Sequence, residues 1–184
     1  MIKETLKEIS KNFENLITCE KEINRASKIM IDALDSGGKI IYCGNGGSAA
    51  DSQHLAAELV GRYRKNRQPL AAVALTTDTS IITAVGNDFS FEEIFSRQIQ
   101  AIGDSKDVLY AISTSGKSKN IIKAITESKK QGIQVIGITG QKGHDMEGLC
   151  DLLICVPSNR PDRIQEMHIA VGQILCEIIE NTLC

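Results

Sequence analysis

The chain has 184 residues, 24% of them charged and 42% hydrophobic, with a formal net charge of −2. That length suits one domain with a full core, and the near-balanced charge leaves no electrostatic footprint for a nucleic acid. No apolar run approaches the roughly 20 residues of a membrane span, and the opening MIKETLKEIS has no signal-peptide core, so a cytoplasmic protein is expected.

In chain order, residues 1–36 place Ile9, Phe13, Leu16, Ile23, Met30 and Leu34 at helical spacing among charged residues. The pattern ends at Gly37-Gly38 and predicts an N-terminal helical arm ahead of an α/β core over 37–184. Ile40–Cys43 reads as a buried parallel strand, Gly44–Ser48 as a glycine-rich turn, and Ala49–Leu59 as a helix. The run Arg62–Arg67 reads as a solvated basic loop. Leu70–Leu75 is the second strand, and Thr76, Thr77 and Asp78 cap a helix over Thr79–Val85, broken by Gly86-Asn87-Asp88-Phe89. Ser90 with Glu93 has the spacing of a capping box for the next helix. Asp107–Ile112 is a strand, Ser113–Ser118 a hydroxyl-rich turn, and Asn120–Lys130 a helix. Ile133–Ile138 and Leu152–Val156 are the last strands, and Arg163–Leu183 a closing amphipathic helix. This alternation predicts a three-layer α/β/α sandwich on a five-stranded parallel sheet.

Two turns of this kind, each running from a strand into a helix, would lie along the carboxyl edge of one sheet, where open α/β folds bind ligands. Hydroxyls and amides without a fixed cation suit a small phosphate ester. Gly44-x-Gly46-x-x-Ala49 formally fits a dinucleotide fingerprint, but the second strand ends Leu75-Thr76-Thr77 without the required acid. Gly116-Lys117-Ser118 ends like a nucleotide-binding P-loop, but Ala111 stands where its first glycine belongs.

His54 and Glu58, four apart, share a helix face and could ligate a metal, although such pairs are common on surface helices. Gln165 and His168, and Gln165 and Gln173, can likewise share a face of the closing helix. Glu58 is a candidate to move a proton between adjacent carbons of a phosphosugar. The six cysteines form no CxxC pair and read as buried free thiols.

Taken together, GNGGSAADSQHLAAEL (44–59), TAVGNDFSFEEIFSRQ (83–98), AISTSGKS (111–118) and RIQEMH (163–168) resemble the sugar isomerase (SIS) domain family, and within it the phosphoheptose isomerase branch. The resemblance covers nearly the whole chain as a single domain. It implies a ketose–aldose isomerase that converts sedoheptulose 7-phosphate to D-glycero-D-manno-heptose 7-phosphate through an enediol. That would be the first step of activated-heptose synthesis for lipopolysaccharide or another surface glycan. It implies a substrate site of Asn45, Gly46, Gly47, Ser48, Glu58, Asn87, Asp88 and Gln165, with Ser113, Thr114, Ser115 and Ser118 around the phosphate. It further implies a zinc held by His54, Glu58, Gln165 and a histidine eight residues beyond, where this sequence has Gln173.

That departure puts the second acid/base group in question, because an amide neither titrates near neutrality nor binds zinc as an imidazole does. Gln173 by position, or His168 one turn before, would take the role beside Glu58. The resemblance also implies a homotetramer with sites between subunits. The alternative within the family is a non-enzymatic protein that associates with the replication initiator DnaA.

Overall fold

The computed structural model describes residues 1–184. Five parallel strands carry the fold: β1 (Ile40–Gly44), β2 (Ala72–Ala74), β3 (Val108–Ile112), β4 (Gln134–Thr139) and β5 (Leu152–Cys155). They lie in the order β2-β1-β3-β4-β5. Seven helices surround them: α1 (Ile2–Asn15), α2 (Glu20–Asp35), α3 (Gly47–Val60), α4 (Thr79–Asp88), α5 (Ser96–Ile102), α6 (Lys119–Lys130) and α7 (Pro161–Leu183). The α/β/α sandwich with a five-stranded parallel sheet is as the sequence predicts.

Strand side chains alternate between the two faces. Ile40 and Tyr42 of β1, with Val108 and Tyr110 of β3, pack into a core with Met30, Leu55 and Met167 from α2, α3 and α7. Ile41, Cys43, Leu109 and Ala111 point the other way, onto Ile99 of α5 and Ile121 and Ile125 of α6. Both faces of the sheet are therefore covered, which accounts for strands that are apolar throughout rather than alternating. β1 is followed by β2 on one side, and the chain then crosses to β3 on the other side. The carboxyl ends of β1 and β3 thus flank the topological switch point, where such sheets open a crevice.

The arm is anchored from Leu16 onward. α1 itself buries no residue, and Ile2 and Leu6 stay 73% and 60% exposed. Its one charged tether is Glu8, which accepts from Arg160 ahead of α7 at 2.9 Å.

Local expectations fail in four places. The capping box is not made: Ser90 uses no side-chain cap, and Glu93 is drawn instead to Ser96 Oγ at 2.7 Å and to Lys123. The expected single helix after Ser90 accordingly splits into a short turn at Phe91–Glu93 and α5. α4 runs on through Gly86 to Asp88, because Asp78 caps its start at 2.9 Å and the helix continues to Phe89, whose N–H still reaches Val85. β2 is only three residues long, being an edge strand paired on one side. Finally, the basic loop is not merely solvated, since the Arg67 side chain is 3% exposed and salt-bridged to Glu180 at 2.8 Å.

Candidate active site

α3 and α7 are packed closely enough to bring distant residues together. A Cβ on Gly172 would sit 2.5 Å from Leu55, and one on Gly47 would sit 2.8 Å from the Gln165 amide. At Gly172, where the neighbour is the buried Leu55, glycine lets α7 lie close against α3. As a consequence Gln173, the residue after Gly172, reaches the face that carries His54 and Glu58.

Three polar atoms converge there. His54 Nε2 lies 3.0 Å from Glu58 Oε1, and Gln173 Nε2 lies 3.2 Å from the first and 3.3 Å from the second. Those spacings match the roughly 3.3 Å edge of a tetrahedron of ligands about 2.0–2.1 Å from a metal. An amide's oxygen and nitrogen exchange by a half-turn, so Gln173 can present Oε1 to the same point. Imidazole, carboxylate and amide oxygen form a donor set compatible with zinc. Gln165 stands against Gly47 without a hydrogen bond to the trio. His54 is half exposed and Glu58 one-fifth exposed, so the cluster opens to solvent. Behind it Cys176 is buried, and burial, with Glu58 nearby, pushes its thiol up to about 12, which makes it inert as a nucleophile.

The two turns lie along the crevice between β1 and β3. In the first, Ser48 N–H and Ala49 N–H close on the carbonyls of Asn45 and Gly46, and Ser48 is buried. In the second, Ser113 Oγ donates to Ser118 Oγ at 3.2 Å, and Ser115 Oγ accepts from the Lys117 N–H at 3.2 Å. Ser118 makes no side-chain cap, so the first N–H groups of α6 remain open for an anion. A polar cavity of about 240 Å³ continues from Thr114 and Ser115 past Lys117 and Lys142. Neither lysine has a carboxylate partner, so both are free to face an anion.

Not every predicted residue joins this arrangement. Asn87 and Asp88 lie at the exposed end of α4, where Asn87 Nδ2 donates to Asp88 at 2.8 Å, and neither hydrogen-bonds to either turn. His168 does not take the place considered for it beside Glu58. It lies on the buried side of α7, 1% exposed, and neither ring nitrogen is paired. Five residues along a helix turn it about 140° from Gln173. Burial pushes its imidazole down to about 4.

Sequence reasoning missed two contributors. Asn120 is buried and exchanges two 2.9 Å hydrogen bonds with Asn45. A polar residue at the head of the buried stripe Asn120, Ile121, Ala124, Ile125 and Ser128 was the available signal. Arg67 was the other: its guanidinium also donates to the carbonyls of Glu58 and Leu59, both at 2.8 Å, which fixes the end of α3 that carries the carboxylate.

The chain matches the SIS domain family over residues 4–140. It is 54% identical over 172 residues to the phosphoheptose isomerase of Rhodospirillum rubrum, covering 94% of this chain and 92% of that one. A phosphoheptose isomerase from a Nitratiruptor species is 50% identical, with 98% and 97% covered. Among solved structures, phosphoheptose isomerase GmhA from Neisseria gonorrhoeae superposes with a TM-score of 0.88 at 40% identity, covering 98% of this chain and all of that one.

Proposed function

The chain belongs to the SIS domain family, among its phosphoheptose isomerases, and we propose that it converts sedoheptulose 7-phosphate to D-glycero-D-manno-heptose 7-phosphate. It is an enzyme of the aldose–ketose isomerase class. The observation that carries the reading of its site is the convergence of His54, Glu58 and Gln173 at α3, the helix that the glycine turn opens.

The phosphate docks at the hydroxyls of Ser113, Thr114, Ser115 and Ser118 and at the open N–H groups of α6. Asn45, Gly46, Gly47, Ser48 and Gln165 line the sugar end. The Glu58 carboxylate takes a proton from C1 of the ketose; the C1–H electron pair forms the enediol double bond and the C2 carbonyl oxygen takes up a proton. Returning the carbon proton to C2, as the O1 proton leaves, yields the aldose. Gln173 can orient an oxygen by hydrogen bonding but cannot exchange a proton, so one carboxylate carries the transfer between carbons. Zinc held by His54, Glu58, Gln165 and Gln173 would act as a Lewis acid toward the developing oxyanion.

The proposal includes a homotetramer. It is supported by an apolar groove between the arm and α7, lined by Phe13, Leu16, Ile17, Ile23, Ile174 and Ile178, and by the uncovered Ile2 and Leu6. It also includes a cytoplasmic setting, supported by the lack of any helix long and apolar enough to cross a membrane, and a product used for a surface glycan. The second reading, a module that binds the replication initiator, draws on Gln173, a side chain that does not titrate.

The test is turnover of sedoheptulose 7-phosphate by chelated protein with and without added zinc. Turnover restored by zinc supports both enzyme and metal; turnover indifferent to zinc removes the metal. No turnover in either case, with initiator captured in a pull-down, favours the binding module.

A further inference from the structure

The two ligand turns belong to different βα units, 75 residues apart along the chain at the residues that join them. Asn45 follows directly on β1, and Asn120 is the second residue of α6. Asn45 Nδ2 donates to Asn120 Oδ1 and Asn120 Nδ2 donates to Asn45 Oδ1, each at 2.9 Å. No other side-chain hydrogen bond links the first turn to the second turn or its helix. Asn120 is 3% exposed, whereas Asn45 is half-buried at the crevice.

A reciprocal amide pair is a stiff joint. Turning one amide alone would set nitrogen against nitrogen and oxygen against oxygen, so the pair turns together or not at all. Burial strengthens both bonds and makes an unmatched partner costly. Each amide still has one N–H to spare. Because Asn45 Nδ2 and Oδ1 are both engaged by Asn120, Asn120 fixes which way the Asn45 amide faces.

We propose that Asn120 is a positioning residue that couples the phosphate turn to the glycine turn. An anion at the N-terminus of α6 then steadies Asn45, Gly46 and Gly47 through this joint. The inference rests on the reading of the second turn as the phosphate site. It assigns Asn120 no contact with substrate. It explains how binding free energy gained at the remote phosphate orders the opposite end of the crevice, where the carbons react.

Coupling can be read without turnover. Amide hydrogen exchange over residues 45–50 is measured with and without saturating inorganic phosphate, in the parent and in Asn120→Leu, which keeps the branched skeleton while losing the pair. Phosphate is expected to slow exchange in this segment at least about threefold in the parent and not in the variant. Protection that persists in Asn120→Leu, or that is missing in the parent although phosphate binds, overturns the proposal.

Kinetics give the second readout. In Asn120→Leu, kcat for sedoheptulose 7-phosphate should fall about 10- to 100-fold, while the inhibition constant of inorganic phosphate stays within about threefold. An unchanged kcat, or an equal loss of phosphate inhibition, shows that Asn120 does not couple the turns. Asn120→Ala serves if the leucine variant does not fold. A parent with no turnover would count against the isomerase reading and leave the exchange result to decide this one.

Discussion

Arg67 offers the most demanding test of what holds the catalytic helix. Its guanidinium donates to Glu180 Oε1 at 2.8 Å, to the carbonyls of Leu59 and Glu58 at 2.8 Å each, and to the Gln68 carbonyl at 3.0 Å. Both charged side chains are buried, at 3% and 2% exposure. Arg67→Met keeps most of the apolar stem and removes all four bonds. Breaking one partner of a buried pair costs roughly 3–5 kcal/mol. Glu180 would keep its three backbone donors, the N–H groups of Tyr63, Arg64 and Lys65, so the loss should fall near the low end, about 3 kcal/mol.

For a domain of this size that is roughly a 6–12 °C fall in Tm. The exposed pair of Arg64 and Glu177 is the internal control, where Glu177→Gln should cost less than about 1 kcal/mol. Acid unfolding adds a second reading. Desolvation works to raise the Glu180 carboxyl, but the backbone N–H donors of Lys65, Arg64 and Tyr63, with Arg67, hold it down to about 2. A depressed carboxyl stabilises the fold above the unfolded value and loses that contribution as pH falls through the folded one. Arg67→Met should therefore unfold at higher pH than the parent. A stability loss no larger than the control's, measured by urea titration, would refute the assignment of Arg67 as an anchor of α3.

Glu58→Gln should abolish turnover while leaving the urea midpoint within error of the parent; retained activity would remove Glu58 from the mechanism. Gln173→His should raise zinc affinity at least about tenfold by competition with a chelating dye, and unchanged affinity would place the metal elsewhere. Buried His168, at about 4 against an ordinary 6.5, should bind a proton on unfolding between those values. Stability then falls as pH drops through that window, by up to about 3 kcal/mol. Asp51, pushed up to about 6 by burial, pulls the opposite way over much of the same range. The check is accordingly the difference between His168→Phe and the parent at pH 6.5 and 4.5, and parallel curves would show that His168 does not control it.

What the sequence disclosed and what it hid divide along physical lines. β1, β3, β4 and β5 were legible because strands of a sheet covered on both faces read as short, nearly continuous apolar runs. The two turns were legible because a backbone that must approach a ligand needs glycine or a short hydroxyl. The failures share another cause. Ser90 and Glu93 have the spacing of a capping box, yet Lys123 of a helix 30 residues on competes for the carboxylate. The same holds for Arg67 and Glu180, 113 residues apart, and for Asn45 and Asn120, 75 apart. A polar side chain chosen for a distant partner leaves no periodic trace, and by local pattern it reads as a solvated loop or a helix cap. Of these pairs, Asn45 and Asn120 meet at the sheet's carboxyl edge, while Arg67 and Glu180 tie the C-terminal end of α3 to that of α7. The crevice is thus assembled from residues whose local reasons are weak and whose tertiary reasons are strong. Among them, Gln173 owes its place beside His54 and Glu58 to Gly172, the one residue before it that lets α7 close on Leu55. Position rather than residue type brought it there, and its amide sets what that position can do.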